Sequence, residues 1–165
     1  MLQKKICMLG SFSVGKTSLV KRFVESLFSE KYLTTVGVKI DKKVLPADGQ
    51  DVTLMLWDLY GEDEYQKIRM SYLRGASGYL LVADGTRAAT VDKALAIREE
   101  AEKIFGAIPF VLALNKCDLA EEWAIAPERE AELAARAGKV IRTSAKTGQG
   151  VELAFEALAK VMMAT

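Results

Sequence analysis

Apolar runs of strand length recur along the chain at Lys5 to Leu9, Val52 to Trp57, Gly78 to Val82, Pro109 to Leu114 and Val140 to Arg142. Between them lie longer segments whose apolar residues follow helical spacing: Lys16 to Ser26, Asp63 to Arg74, Thr90 to Phe105, Pro127 to Ala137 and Gly150 to Met162. Strands that alternate with helices predict right-handed crossovers and a mostly parallel sheet with helices on both faces. Strands buried on both faces are apolar throughout rather than at every second position. Val38 to Leu45 departs from this pattern, being polar at alternate positions. Pro46, Ala47, Asp48 and Gly49 then join it to the next strand, a link too short for a crossover helix. An antiparallel edge hairpin is expected there, which makes six strands in an α/β sheet. In such a sheet ligands bind beyond the carboxyl ends of the strands, so the loops after each strand are where chemistry is sought.

With 165 residues, the chain fits one domain, residues 1–165, with no linker or repeat. It is 50% hydrophobic and 27% charged, with a net charge of +1, a balance that argues against disorder and against a nucleic-acid partner. Cys7 and Cys117 both sit in or beside apolar runs and form no disulfide framework, which suits a reducing cytoplasm. The longest apolar runs are well short of the roughly 20 residues of a membrane span, and no basic segment precedes an apolar one at the start. Ala159 to Thr165 contains neither cysteine nor a polybasic stretch, so no lipidation motif is legible and a soluble domain is expected.

Gly10, Ser11, Phe12, Ser13, Val14, Gly15, Lys16 and Thr17 spell G-x-x-x-x-G-K-T after a strand and before a helix, the context a P-loop requires. Its glycines let the backbone form a nest of N–H donors at a helix N-terminus, where a phosphate chain meets both the donors and the positive dipole end. Lys16 would reach the β- and γ-phosphates and the Thr17 hydroxyl would ligate Mg²⁺. A P-loop by itself does not choose between adenine and guanine.

Asn115, Lys116, Cys117 and Asp118 follow an apolar run and so place a carboxylate on the ligand side of the sheet. A carboxylate offers two acceptors, and guanine offers adjacent donors at N1 and the 2-amino group where adenine does not. In isolation the same four residues also suit an ordinary turn. Ser144, Ala145 and Lys146 follow the next run, where a backbone N–H can donate to guanine O6. Asp58 and Gly61 close the strand Val52 to Trp57; the acid can hold Mg²⁺ through water, and Gly61 leaves its N–H open to a γ-phosphate.

Gly10 to Thr17, Thr35 with Gly37, Asp58 with Gly61, Asn115 to Asp118 and Ser144 to Lys146 occur in the order and spacing of the Ras superfamily of small GTPases. The chain resembles its Rab branch most in Tyr32 to Val38 and in Ser71 to Gly78 followed by Val82 to Thr86. The resemblance implies the P-loop NTPase fold of small G proteins and binding of GTP or GDP with Mg²⁺. It places Gly10, Ser13, Val14, Gly15, Lys16, Thr17 and Ser18 around the phosphates, with Phe28 stacked on the base and Tyr32 closing over the phosphates. Asn115, Lys116, Asp118, Ser144, Ala145 and Lys146 would form the base pocket, and Thr17, Thr35 and Asp58 would surround the metal. Thr35 and Gly61 would mark two switch loops read by an effector, with an exchange factor and an activating protein as further partners. Trp57 and Tyr72 belong to an aromatic patch that in the Rab branch also has a phenylalanine; Ile40 stands at that position here, so the surface carries over without a partner's identity.

Two departures fall on the catalytic step. Glu62 stands where the family orients its attacking water with glutamine; a carboxylate only accepts, and it lies near an anionic transition state. Phe12 replaces a small loop residue and either obstructs that step or packs outward. Lys16, Thr35, Gly61 and Glu62 are the expected catalytic positions, with slow intrinsic hydrolysis. The alternatives are a nucleotide-binding module that has lost hydrolysis, and a P-loop kinase or ATPase, for which no arginine-bearing lid is evident.

Overall fold

A computed structural model describes residues 2–11, 13–25, 38–47, 49–59 and 70–164. Six strands form one sheet in the order β2-β3-β1-β4-β5-β6: β1 (Leu2–Leu9), β2 (Val38–Ala47), β3 (Gln50–Leu59), β4 (Gly78–Asp84), β5 (Phe110–Asn115) and β6 (Val140–Arg142). Four helices, α1 (Lys16–Glu25), α2 (Ala89–Phe105), α3 (Pro127–Ala137) and α4 (Val151–Met163), complete the described architecture with short 3-10 turns at Met70–Leu73 and Ala120–Glu122. All pairings are parallel except β2 with β3. The α/β fold expected from the alternating pattern is therefore present, including its antiparallel edge hairpin. Among the described residues, no helix is long and apolar enough to cross a membrane.

The central strands are buried on both faces, and successive side chains feed two different cores. Ile6 and Met8 of β1, Leu80 and Val82 of β4, and Val111 and Ala113 of β5 pack with Leu19, Val20 and Phe23 of α1 and Val151 to Met162 of α4. Their sequence neighbours Cys7, Leu9, Leu81, Ala83, Leu112 and Leu114 pack instead with Val91 and Ala94 of α2 and Leu133 of α3. A period of two thus survives inside runs that are hydrophobic at every position. Phe23 and Phe155 stack with ring centroids 4.0 Å apart and tie α1 to α4.

Two boundaries differ from expectation. Pro46 and Ala47 belong to β2 and pair with Asp51 and Gln50, so the link read as a four-residue turn contracts to positions 48 and 49. A proline fits there because β2 is the edge of the sheet, where a missing N–H breaks no ladder on the outer side. Gly49 turns the chain at φ +80°. The helix expected over Asp63 to Arg74 is described only at its end, where Met70–Leu73 is a 3-10 turn; the rest lies outside the described residues.

Candidate nucleotide site

The P-loop links β1 to α1 and closes on itself. The Lys16 ammonium donates to the Gly10 carbonyl at 2.8 Å and is buried, which sets a cation across the mouth of the loop. Both motif glycines carry positive φ, +155° at Gly10 and +105° at Gly15. Close approach constrains them as well: a Cβ on Gly10 would lie 2.4 Å from the Val82 carbonyl oxygen, and one on Gly15 would lie 2.2 Å from Asn115 Nδ2. Val14 at the loop and Ser18 in the first turn of α1 are both buried.

The carboxyl ends of β3 and β5 reach the same loop. Thr17 Oγ1 donates to Asp58 Oδ2 at 2.6 Å. Asp58 is 1% exposed, and its Oδ1 meets no hydrogen-bond partner among the described residues. Burial raises the Asp58 pKa, against the opposing pull of the Thr17 hydrogen bond and the Lys16 charge. A hydroxyl and a buried carboxylate with one unanswered oxygen form an oxygen-donor pair that fits a hard divalent cation such as Mg²⁺.

Asn115 Nδ2 donates to the Val14 carbonyl at 2.9 Å and its Oδ1 accepts from Thr143 Oγ1 at 3.0 Å, so one buried amide joins the P-loop, β5 and the loop after β6. Lys116 Nζ donates to the Ser13 carbonyl at 3.1 Å. Ser13 and Lys116 both hold left-handed backbone, at φ +61° and +70°, a conformation uncommon outside glycine and concentrated at functional loops. Ser144 Oγ donates to Asp118 Oδ1 at 2.7 Å and accepts from the Thr147 N–H at 3.0 Å. That hydrogen bond sets the carboxylate expected to read guanine beside the loop expected to meet O6, with Ala145 buried behind it.

Two residues were given no role in the sequence reading. Asp84 ends β4 and is 1% exposed; its carboxylate takes Lys116 Nζ at 2.9 Å, Arg87 Nε at 2.9 Å and the Thr86 N–H at 2.9 Å. Burial alone would raise the Asp84 pKa, but the donors Thr86, Lys116 and Arg87 overcome it and hold the carboxyl below its ordinary value. The legible signal was an acid ending an apolar strand on the ligand side, the reasoning already applied to Asp58 and Asp118. Arg22 reaches from α1 to the carbonyls of Ala145 and Lys146; a mid-helix arginine carries no such signal.

Phe12, Phe28, Tyr32, Thr35, Gly37, Gly61 and Glu62 lie outside the described residues. Of the aromatic patch, Trp57 and Tyr72 meet with ring centroids 6.2 Å apart, and Ile40 is exposed on the strand beside Trp57.

Comparison with known proteins agrees with this geometry. The Ras family pattern matches residues 5–164. The chain is 34% identical over 161 residues to Ras-related protein Rab-8B of Homo sapiens, covering 96% of this chain and 78% of that protein. It is 34% identical over 163 residues to Rab-32C of Dictyostelium discoideum, covering 96% and 73%. Against Rab-26 of Bos taurus it is 36% identical over 159 residues, covering 94% and 62%. With nearly the whole chain matched and the P-loop joined to the ends of β3 and β5, the protein belongs to the Ras family and, within that superfamily of small GTPases, to the Rab branch.

Proposed function

We propose that this protein is a guanine-nucleotide switch of one domain, residues 1–165, that hydrolyses GTP slowly and presents two loops, around Thr35 and Gly61, to an effector protein. The observation that carries the reading is the convergence of Thr17 with Asp58, and of Ser144 with Asp118, on either side of one P-loop. Gly10, Ser13, Val14, Gly15, Lys16, Thr17 and Ser18 cradle the phosphates; Asn115, Lys116, Asp118, Ser144, Ala145 and Lys146 hold the base, with Phe28 and Tyr32 against the nucleotide. Thr17, Asp58 and Thr35 would hold Mg²⁺, which would supply neutralisation of charge on the phosphate oxygens. Guanine is chosen because the Asp118 carboxylate answers donors that adenine lacks.

Slow hydrolysis rests on Glu62. As an acceptor-only group it cannot donate toward the γ-phosphate while it accepts from water, and its charge opposes the charge of the transition state. An activating protein supplying an arginine in trans would add roughly 10³ to 10⁵ in rate. An exchange factor would set the other half of the cycle, and the working location is the cytoplasm.

Phosphate release from GTP and Mg²⁺ under single-turnover conditions tests the reading, with Glu62→Gln in parallel. The expected result is slow, Mg²⁺-dependent release that quickens in Glu62→Gln. No release over many hours, with GTP still bound, would instead make the protein a nucleotide-binding module without hydrolysis. In Asp118→Ala the preference for GDP over ADP is expected to fall steeply; an unchanged preference would remove the guanine assignment.

A further inference from the structure

Arg22 lies in α1, two turns beyond the phosphate end of that helix, yet its guanidinium serves the opposite end of the site. Nε donates to the Ala145 carbonyl at 2.7 Å, and a terminal nitrogen donates to the Lys146 carbonyl. The stem runs beside Gly148, where a Cβ would lie 3.7 Å from Arg22 Cδ. One planar fork therefore fixes two consecutive peptide units of the loop after β6.

Peptide planarity turns that anchoring into aim. In a trans peptide the N–H points opposite the C=O of the same unit. The Ser144 carbonyl accepts from the Gly148 N–H at 2.8 Å, inside the turn, so the Ala145 N–H is directed out of it. Among the described residues the Ala145 N–H meets no backbone acceptor. The Ala145 carbonyl, held by Arg22, directs the Lys146 N–H away from α1 in the same manner. Arg22 thus orients the Lys146 N–H from the side of α1, while Gly148 orients the preceding Ala145 N–H from within the turn. The loop is also tied to Asp118 through Ser144 Oγ, which sets its other end beside the acid that reads the base.

We infer that Arg22 is a positioning residue for base recognition: by holding the Ala145 and Lys146 carbonyls it fixes the loop whose Ala145 and Lys146 N–H groups meet the 6-oxo group of guanine, and it couples that contact to the helix that begins at the phosphates. The inference rests on the reading of Ser144 to Lys146 as the O6 loop. Its specific consequence is selectivity at one atom of the ligand. Losing the fork weakens the contact to O6, while the Asp118 contacts to N1 and the 2-amino group persist.

GDP and 6-thio-GDP separate these contacts, since the thio analogue keeps N1–H and the 2-amino group but replaces O6 by sulfur, a weaker acceptor. Affinities of both are measured by displacement of a fluorescent GDP analogue from the full chain, for the native protein, Arg22→Ala and Arg22→Lys. Arg22→Ala is expected to weaken GDP roughly tenfold or more, the scale of a lost charge-assisted hydrogen bond, and 6-thio-GDP by roughly threefold at most. Arg22→Lys keeps the stem and a cation and should recover part of the difference; it also reads the ratio if the alanine variant fails to fold. Equal weakening of both ligands would overturn the inference and leave Arg22 a structural brace. Equal affinity of the native protein for the two ligands would overturn the O6-loop reading itself, a failure visible without any variant.

Discussion

Asp84 sits at the end of a strand that is buried on both faces, and a carboxylate can stay ionised there because of the donors gathered around it. Lys116, Arg87 and Thr86 answer its oxygens, and Lys116 in turn holds the Ser13 carbonyl of the P-loop. Asp84→Asn keeps the shape but removes the charge that restrains Lys116. We expect it to cost about 2 kcal/mol in urea unfolding, at the lower end for a buried ion pair because both cations reach solvent. Release of a fluorescent GDP analogue should quicken in the same variant, and unchanged release would detach Asp84 from the site. The pH dependence has a definite sign. A carboxyl held below its ordinary value of 3.8 contributes stability that is fully present above that pH and is lost as pH falls through the lower folded value. The native protein should therefore lose stability more steeply below about pH 4 than Asp84→Asn, as measured by unfolding across an acid series. Motif residues such as Lys16, Asn115 and Asp118 were legible because chemistry fixes their type and spacing. Asp84 carried the same strand-end signal, but it and Arg22 act through other residues, and linear spacing does not show which.

Among the elements, two glycines in turns separate conformational freedom from space. Gly49 turns the β2–β3 hairpin at φ +80°, and an added Cβ there meets nothing within 4 Å. Gly49→Ala should therefore lose about 1 kcal/mol, the cost of left-handed backbone alone. At Gly10 a Cβ would lie 2.4 Å from the Val82 carbonyl oxygen, a backbone atom that no rotamer change can move. Gly10→Ala should lose at least about 2 kcal/mol more than Gly49→Ala in the same urea titration, because strand β4 would have to shift. Equal losses would show that the P-loop yields to the extra carbon. The hairpin also explains a boundary that sequence placed wrongly. Pro46 reads as a turn residue, but pairing with β3 across ten positions carries β2 to Ala47, and an edge strand tolerates proline.

At the scale of the molecule, the sheet separates two cores and brings the carboxyl ends of five strands to one edge. Cys7 lies in the middle of β1 with its thiol beside the Tyr72 carbonyl at 3.5 Å. Burial pushes its pKa up to about 12. Cys117 is only half-buried, although burial and the neighbouring Asp118 raise its pKa as well. In native protein, alkylation should modify Cys117 first and reach Cys7 only as β1 is exposed by global opening. A ligand that binds the folded state suppresses that opening. At a hundredfold excess of GDP over its Kd the gain is about 2.7 kcal/mol, so Cys7 labelling should slow roughly hundredfold. Labelling of Cys7 that ignores GDP would show that β1 opens without disrupting the nucleotide site. Peptide mass mapping after timed alkylation distinguishes the two thiols.

The sequence by itself determined the alternation of strands and helices, the antiparallel exception at Val38 and the three motifs that follow β1, β5 and β6. Each depends on local chemistry: a period of two or 3.6, a turn too short for a helix, glycines before a lysine. Only the tertiary structure decided that Asp58 meets Thr17 across 41 positions, that Asn115 bridges to Val14 across 101 and that Arg22 holds the base loop across 123. Those contacts depend on the parallel register of β1 against β3 and β4, and on the order in which crossovers place β5 and β6. Register follows from burying both faces of the sheet at once, a condition of the whole chain that no window of sequence contains.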